Sequence, residues 1–155
     1  MARSIPLPYR IIFIILDIAL PIMGIAMHTF APDVALQNFT PKPNTTINPE
    51  TYVLLDGTSG FFATLAFYNI YLLAYRPNDV LVWKGLVGAV ILQDLFMIGG
   101  FLRELRLRGA EFPAGWAGQD FGNVFGYAAI AIVRALFVLG VGMSQEALSG
   151  LKKEL

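Results

Sequence analysis

The chain contains no cysteine, and that single absence removes disulfides, thiolate metal sites, iron–sulfur clusters and dithiol redox chemistry together. One histidine in 155 residues likewise excludes a haem held by two histidines and any metal site built from several imidazoles. Charge is scarce: 14% of the residues are Asp, Glu, Lys or Arg, against roughly a quarter in a water-soluble domain. Cations and anions balance at 11 each, and no basic run tracks a phosphate backbone, so nucleic acid is excluded as a partner. No dinucleotide or nucleotide motif is present, and no cofactor is expected. What chemistry remains must use carboxylates, His28, hydroxyls and amides.

What is abundant is hydrocarbon. Hydrophobic residues make up 56% of the chain and the mean hydropathy is +0.62, values that belong to membrane proteins. Four stretches reach the roughly 20 apolar residues a spanning helix needs: Ile11–Phe30, Tyr52–Tyr75, Val80–Leu102 and Asn123–Met143. Irregular backbone cannot face lipid, so each is expected to be helical. The predicted fold is all-α: one polytopic membrane domain over residues 1–155, with four transmembrane helices and two long lumenal loops. Arg3 and Arg10 precede the first run as they would in a signal peptide, but its apolar region is too long for one.

Residues 31–50, APDVALQNFTPKPNTTINPE, form the first long loop, and residues 103–122, RELRLRGAEFPAGWAGQDFG, the second. RPND at 76–79 reads as a tight turn that makes its flanking helices an antiparallel hairpin. Arg3, Arg10, Arg76, Lys152 and Lys153, with Lys84 close by, outweigh Lys42, Arg103, Arg106 and Arg108 opposite, which leans towards cytosolic termini. Two glycosylation sequons, Asn38-Phe39-Thr40 and Asn44-Thr45-Thr46, then fall in the first lumenal loop. The closing Lys152-Lys153-Glu154-Leu155 has the lysine placement of a cytosolic dilysine retrieval signal, and the expected location is the endoplasmic reticulum. The other readings are a degenerate lumenal retention tail, or two lysines that only solubilise a helix end.

The polar residues inside the spans are placed selectively. On the first helix Arg10, Asp17, Pro21, Gly24 and His28 follow steps of seven, four, three and four, a single stripe that lipid would not select and a bundle interior would. On the second, Asp56 is either a proton relay or a wet helix-start residue favoured by the dipole. Gly57, Ser59, Gly60 and Thr64 suit close packing, while Tyr68, Asn69 and Tyr71 add hydroxyls and an amide. On the third, Trp83, Val87, Val90, Asp94, Met97 and Phe101 make one stripe, with Gln93 beside the acid. An unpaired Asp94 at that depth would rather take up a proton than stay charged.

Arg134 on the fourth helix lies within about a turn of Asp17 in depth, so Asp17 with Arg134 is the expected structural ion pair, fixing helix register. Asp94 is then left as a neutral acid, and one charged carboxylate beside one neutral one is how acid–base sites are built. Trp116 in the second loop is either an interfacial belt residue or part of a lid. Arg103, Arg106 and Arg108 mark either a solvated helix end or a site for lipid or phosphate.

The stretches YRIIFIILDIALPIMG, RPNDVLVWKGLVGAVILQD and WAGQDFGNVFGYAAIAIVRALFVLGVG resemble a family of small fungal integral membrane proteins catalogued as a domain of unknown function. The likeness runs from Pro8 to Gly142, missing mainly the sequon-bearing loop, and Asp17, Asp94, Asp120, Asn123 and Arg134 occupy its polar positions. Two places depart from the family's pattern: Asp17 is followed by Ile18 where a Glu-Pro pair is usual, and Met97 stands where a His often follows the third-helix Asp. The second departure removes an Asp–His pair from that helix. The resemblance implies a tailoring role in secondary metabolism. In topology the chain is also similar to the four-helix fold of sterol isomerases and sigma-type receptors, by analogy only and with no shared motif.

The function expected on these grounds is a cofactor-independent isomerase or cyclase in the membrane, acting by proton transfer on an apolar terpenoid- or polyketide-type molecule. Asp94 is its expected acid, with Asp56 or His28 as relay, and Asp17 with Arg134 holds the helices in register. Trp83, Gln93, Tyr68, Asn69 and Trp116 would line the pocket, aromatic faces stabilising developing positive charge. The alternative is a non-catalytic membrane protein that binds a lipid or sterol, or scaffolds a partner enzyme. The expected partners are the bilayer and an apolar small molecule; a homo-oligomer stays open, and no metal is expected.

Overall fold

The computed structural model describes residues 5–40 and 47–144. The second sequon, Asn44-Thr45-Thr46, and the lysines of the dilysine reading, Lys152 and Lys153, lie outside the described residues. Among the described residues the chain is all-α, with no strand. Its helices are α1 (Leu7–Phe30), α2 (Pro32–Phe39), α3 (Pro49–Tyr75), α4 (Val80–Leu107) and α5 (Gly118–Leu139).

Helix α1 is interrupted by one π turn, Ile15–Ala19, where the Leu20 N–H reaches back to the Ile15 carbonyl. The cause is Pro21, which has no N–H to give and whose ring crowds the carbonyl four residues earlier, that of Asp17. Widening the turn just ahead of the proline relieves that crowding without ending the helix. The start of α3 is fixed locally: Asn48 caps it, its Oδ1 accepting from the Thr51 N–H at 2.9 Å, with Pro49 in the first turn. Helix α5 ends on Gly140, whose φ of 86° is left-handed; the Val141 N–H then bonds back to the Leu136 carbonyl at 2.9 Å.

Three of these helices are long and apolar enough to cross a membrane: α1, α4 and α5, with mean hydropathies of 2.3, 1.8 and 1.8. They carry the signature of an integral membrane protein. The expected fourth span, α3, does not meet that measure. Helix α3 has the length, at 27 residues, but Asp56, Asn69, four serine or threonine residues and four tyrosines dilute its apolar content. The span boundaries also move outward: α1 begins before Ile11, α4 runs on to Leu107, and α5 begins at Gly118, so helix replaces both ends of the second predicted loop. Within the first predicted loop, Pro32–Phe39 is helical.

The chain divides into two compact units. The first comprises the described parts of Met1–Ala35, Asn44–Leu81 and Gly142–Leu155; the second comprises those of Leu36–Pro43 and Val82–Val141. In the first unit α1 and α3 pair antiparallel. His28 meets Leu55 and Ser59, Gly24 lies against Phe62, and Arg10 at the other end reaches Pro77 and Asn78. The Arg10 guanidinium donates to the Pro77 carbonyl and to Asn78 Oδ1, both at 2.7 Å, so it fastens the RPND turn to the start of α1.

In the second unit α4 and α5 also run antiparallel. From the loop outward, Arg108 with Asp120, Leu105 with Val124, Phe101 with Tyr127 and Asp94 with Arg134 are successive partners. The steps are three, four and seven residues along one helix and four, three and seven along the other, a heptad-like seam. Phe101, Leu105 and Val124 form its apolar core, joined by Phe39, Met97, Ile98, Ala110, Trp116 and Tyr127.

Candidate functional site

The most consequential polar contact lies within the α4–α5 seam. Arg134 Nη1 donates to Asp94 Oδ2, and the two residues are 4% and 3% exposed. Helical periodicity brings them together: Asp94 continues the buried stripe Val87, Val90, Phe101, Leu105, and Arg134 continues Asp120, Val124, Ala131, Phe137. Lys84 and Arg103 flank Asp94 at ten and nine residues, which spans about 28 Å and puts the acid near the middle of a hydrocarbon core about 30 Å thick. A carboxylate there survives as an ion only with a partner such as this guanidinium.

This corrects the expectation for Asp94. From sequence it stands as a neutral acid left over after Arg134 takes Asp17; in the structure it has a cation of its own. Asp17 is buried at 1% exposure within the π turn of α1, in the first unit.

Tyr127 is a site residue that sequence reasoning passed over. It precedes Arg134 by seven residues on the same stripe, its ring centroid lies 5.6 Å from that of Phe101, and it sits within electrostatic reach of both Asp94 and Arg134. The available signal was that seven-residue spacing. The centre is thus an ion pair with a phenol alongside and aromatic rings towards the loop.

His28 forms a separate polar centre in the first unit. Its Nδ1 lies 3.2 Å from the Leu55 carbonyl and 3.0 Å from Ser59 Oγ, and its ring stacks on Phe62 at 5.6 Å. A carbonyl oxygen can only accept, so the contact with Leu55 is a hydrogen bond when Nδ1 carries a proton, whereas the Ser59 hydroxyl can pair with Nδ1 as donor or as acceptor. Gly24, one turn before His28, is required by the Phe62 ring: a Cβ there would sit 2.6 Å from Phe62 Cε2.

The other expected site residues are distributed as follows. Asp56 is exposed and has no hydrogen-bond or ion-pair partner among the described residues, which fits the wet helix-start reading. Tyr68, expected in a pocket wall, is 52% exposed and stacks edge-on with Phe67 instead. Asn69 is buried at 1%; its Nδ2 donates to the Leu65 carbonyl at 3.0 Å and its Oδ1 finds no donor. Trp83 is buried at 1% and Gln93 half-buried, both on α4. Trp116 is half-buried in an aromatic cluster with Phe112, Phe121 and Phe125.

That cluster closes the loop between α4 and α5 with the help of a charged knot. Arg108 Nη2 donates to Asp120 Oδ1 at 2.8 Å, Arg108 Nε lies 3.1 Å from Glu104 Oε1, and the Thr40 hydroxyl donates to the same Glu104 oxygen at 2.9 Å. Asp120 Oδ2 also accepts from the Ala117 N–H at 2.7 Å, starting α5. The Asp120 carboxylate holds the Arg108 guanidinium above its ordinary range, so this cation is charged at every accessible pH. Asn123 and Gln119 donate to the carbonyls of Asn38 and Gln37, tying the end of α2 to the same knot. Asp120 and Asn123, the polar residues ahead of Arg134, are therefore structural here.

Among the described residues no group of three or more His, Cys, Asp or Glu side chains converges to hold a metal ion. No curated protein and no solved structure matches the chain. One family model does, described as a domain of unknown function (DUF7704), and it covers residues 2–144, both helical units included. With nearly its whole length inside that match, the chain belongs to the DUF7704 family.

Proposed function

We propose that the chain is a membrane-embedded, cofactor-independent isomerase acting on an apolar terpenoid- or polyketide-type ketone, with Asp94 as base rather than acid. The observation that carries the reading is the contact of Asp94 with Arg134 in the α4–α5 seam. An ion-paired carboxylate keeps its charge and can accept a proton, whereas the lone acid expected from sequence would donate one. In the proposed reaction Asp94 removes a proton from the carbon next to a carbonyl. Electron density moves onto the carbonyl oxygen, where Arg134 and the Tyr127 hydroxyl stabilise it. Asp94, its proton exchanged with solvent, delivers a proton to the far carbon of the shifted double bond, so no oxidant, reductant or cofactor is consumed. Cyclisation begun by protonation is disfavoured, because Asp94 as a carboxylate has no proton to give.

The test is wash-in of solvent hydrogen. Purified protein in micelles is incubated in deuterated buffer with a panel of apolar unsaturated ketones, and products are read by mass spectrometry. The parent chain should give isomeric products about one mass unit heavier for the deuteron they carry, and Asp94→Asn should lower the rate by at least a hundredfold. The charge-swapped variant, Asp94→Arg with Arg134→Asp, separates chemistry from structure: it restores the ion pair but moves the carboxylate from α4 to α5, out of the position assigned to the base. Recovery of turnover by the swap would falsify the catalytic reading and leave a register-fixing pair. Absence of turnover of every ketone by the parent chain favours the alternative, a non-catalytic membrane protein that binds a lipid or sterol or scaffolds a partner.

The same proposal has α3 crossing the membrane as a fourth span, its polar side chains turned to protein, with both termini in the cytosol of an endoplasmic-reticulum protein. Its 27 residues extend about 40 Å, more than a hydrocarbon core requires. Asn69 is buried and Ser59 engages His28, which supports an inward polar face. Because the chain has no cysteine, Gln37→Cys and Asn78→Cys can be labelled singly with an impermeant maleimide. Labelling from opposite faces supports the crossing, and labelling from one face ends it.

A further inference from the structure

The outward side of α4 carries a groove that no residue of the proposed reaction uses. Leu92, Leu95, Phe96, Gly99, Gly100 and Arg103 line it. Its floor is the Gly99-Gly100 pair, where an added Cβ would meet nothing within 4 Å. Its walls are exposed: Leu92 at 60%, Leu95 at 53% and Phe96 at 80%. At its end stands Arg103, exposed and without a hydrogen-bond or ion-pair partner among the described residues. Arg106, three residues on, is exposed in the same state.

Two measures identify an occupant. Leu92 to Arg103 is eleven residues, about 16 Å along the helix, close to half the thickness of a hydrocarbon core about 30 Å deep. The slot therefore runs from near the bilayer centre to the headgroup level of one leaflet, which is the reach of one acyl chain. At the headgroup end it presents cations. A second copy of α4 fits worse: parallel two-fold packing on this face would set Arg103 against Arg103 and Arg106 against Arg106.

We propose that this groove binds one anionic phospholipid, an acyl chain over Gly99-Gly100 and the phosphate on Arg103. The site does not depend on the chemistry assigned to Asp94, which lies nine residues and about two and a half turns from Arg103, on the opposite side of α4.

The proposal is tested by native mass spectrometry of the full chain taken from nanodiscs of phosphatidylglycerol or of phosphatidylcholine. The parent should retain one phosphatidylglycerol. Arg103→Gln should reduce retention about fivefold, the effect of one interfacial cation, and Gly99→Leu, which fills the slot, should reduce it at least as much. Both positions face open space, so circular dichroism and elution volume should match the parent. Equal retention of the two lipids by the parent overturns the preference for an anionic headgroup, and unchanged retention in Arg103→Gln overturns the phosphate contact. Unchanged retention in Gly99→Leu overturns the acyl slot. Loss of a dimer, rather than of lipid, in either variant assigns the face to a second copy and overturns the proposal.

Discussion

The two helical units solve the same problem by different means. Both are antiparallel helix pairs with a polar group inside an apolar seam. In the first, α1 meets α3 through shape: Gly24 admits the Phe62 ring, and the ring stacks on His28, whose Nδ1 lies between a carbonyl and a hydroxyl. In the second, α4 meets α5 through charge, with Asp94 on Arg134 in the seam and Arg108 between Asp120 and Glu104 at the loop end. The difference teaches where reactivity can reside. A helix pair joined by shape tolerates no added volume, and one joined by buried charge tolerates no lost partner.

The comparison breaks most visibly at Arg134. Arg134→Leu leaves the Asp94 carboxylate buried without its cation and should cost about 3–5 kcal/mol. Adding Asp94→Leu should return most of that, because two well-packed apolar side chains replace the pair. Thermal unfolding in detergent reads both variants, and a double variant no better than the single would show that charge is not what joins this seam.

Next in size is Gly24→Val in the shape-joined unit. Its side chain collides with the Phe62 ring and should cost about 1–3 kcal/mol. Phe62→Ala in the same chain should recover part of the loss, a coupling read from the double-mutant cycle.

Asp120→Ala removes both the bond from Arg108 and the bond from the Ala117 N–H. About 1–2 kcal/mol should be lost, and hydrogen exchange should quicken at the start of α5 while α1 and α3 are unaffected. The smallest effect is expected at Asn69→Leu. Its Oδ1 is buried without a donor, so an apolar replacement of similar size should be neutral or stabilising by up to about 1 kcal/mol. A loss beyond that would show that the amide serves a ligand or partner.

Much of this architecture was legible beforehand. The stripe Asp17, Pro21, Gly24, His28 points inward, with Asp17, Pro21 and His28 buried, as periodicity requires. Along α4, Trp83, Val87, Val90, Asp94 and Phe101 are buried too. Composition is divided at α3, where apolar residues are numerous enough to suggest a span and polar ones numerous enough to keep it below the measure the other three meet. The second loop hid helix because Arg103, Glu104 and Arg106 read as solvated, although Leu105 among them is core. Tyr68 and Trp116 went astray for one reason: an aromatic residue in a membrane sequence carries no mark of which neighbour it will stack on.

The sequence by itself determined that the chain is helical, that three of its helices suit a bilayer, and which face of α1 and α4 turns inward. Those are properties of single helices, fixed by local periodicity and by the cost of leaving backbone unpaired in lipid. Only the tertiary structure decided that Asp94 would meet Arg134, that Gly24 would make room for Phe62, and that Arg108 would tie Asp120 to Glu104. Partner choice depends on how two helices are rotated and offset against each other, and that arises only when both seams close at once.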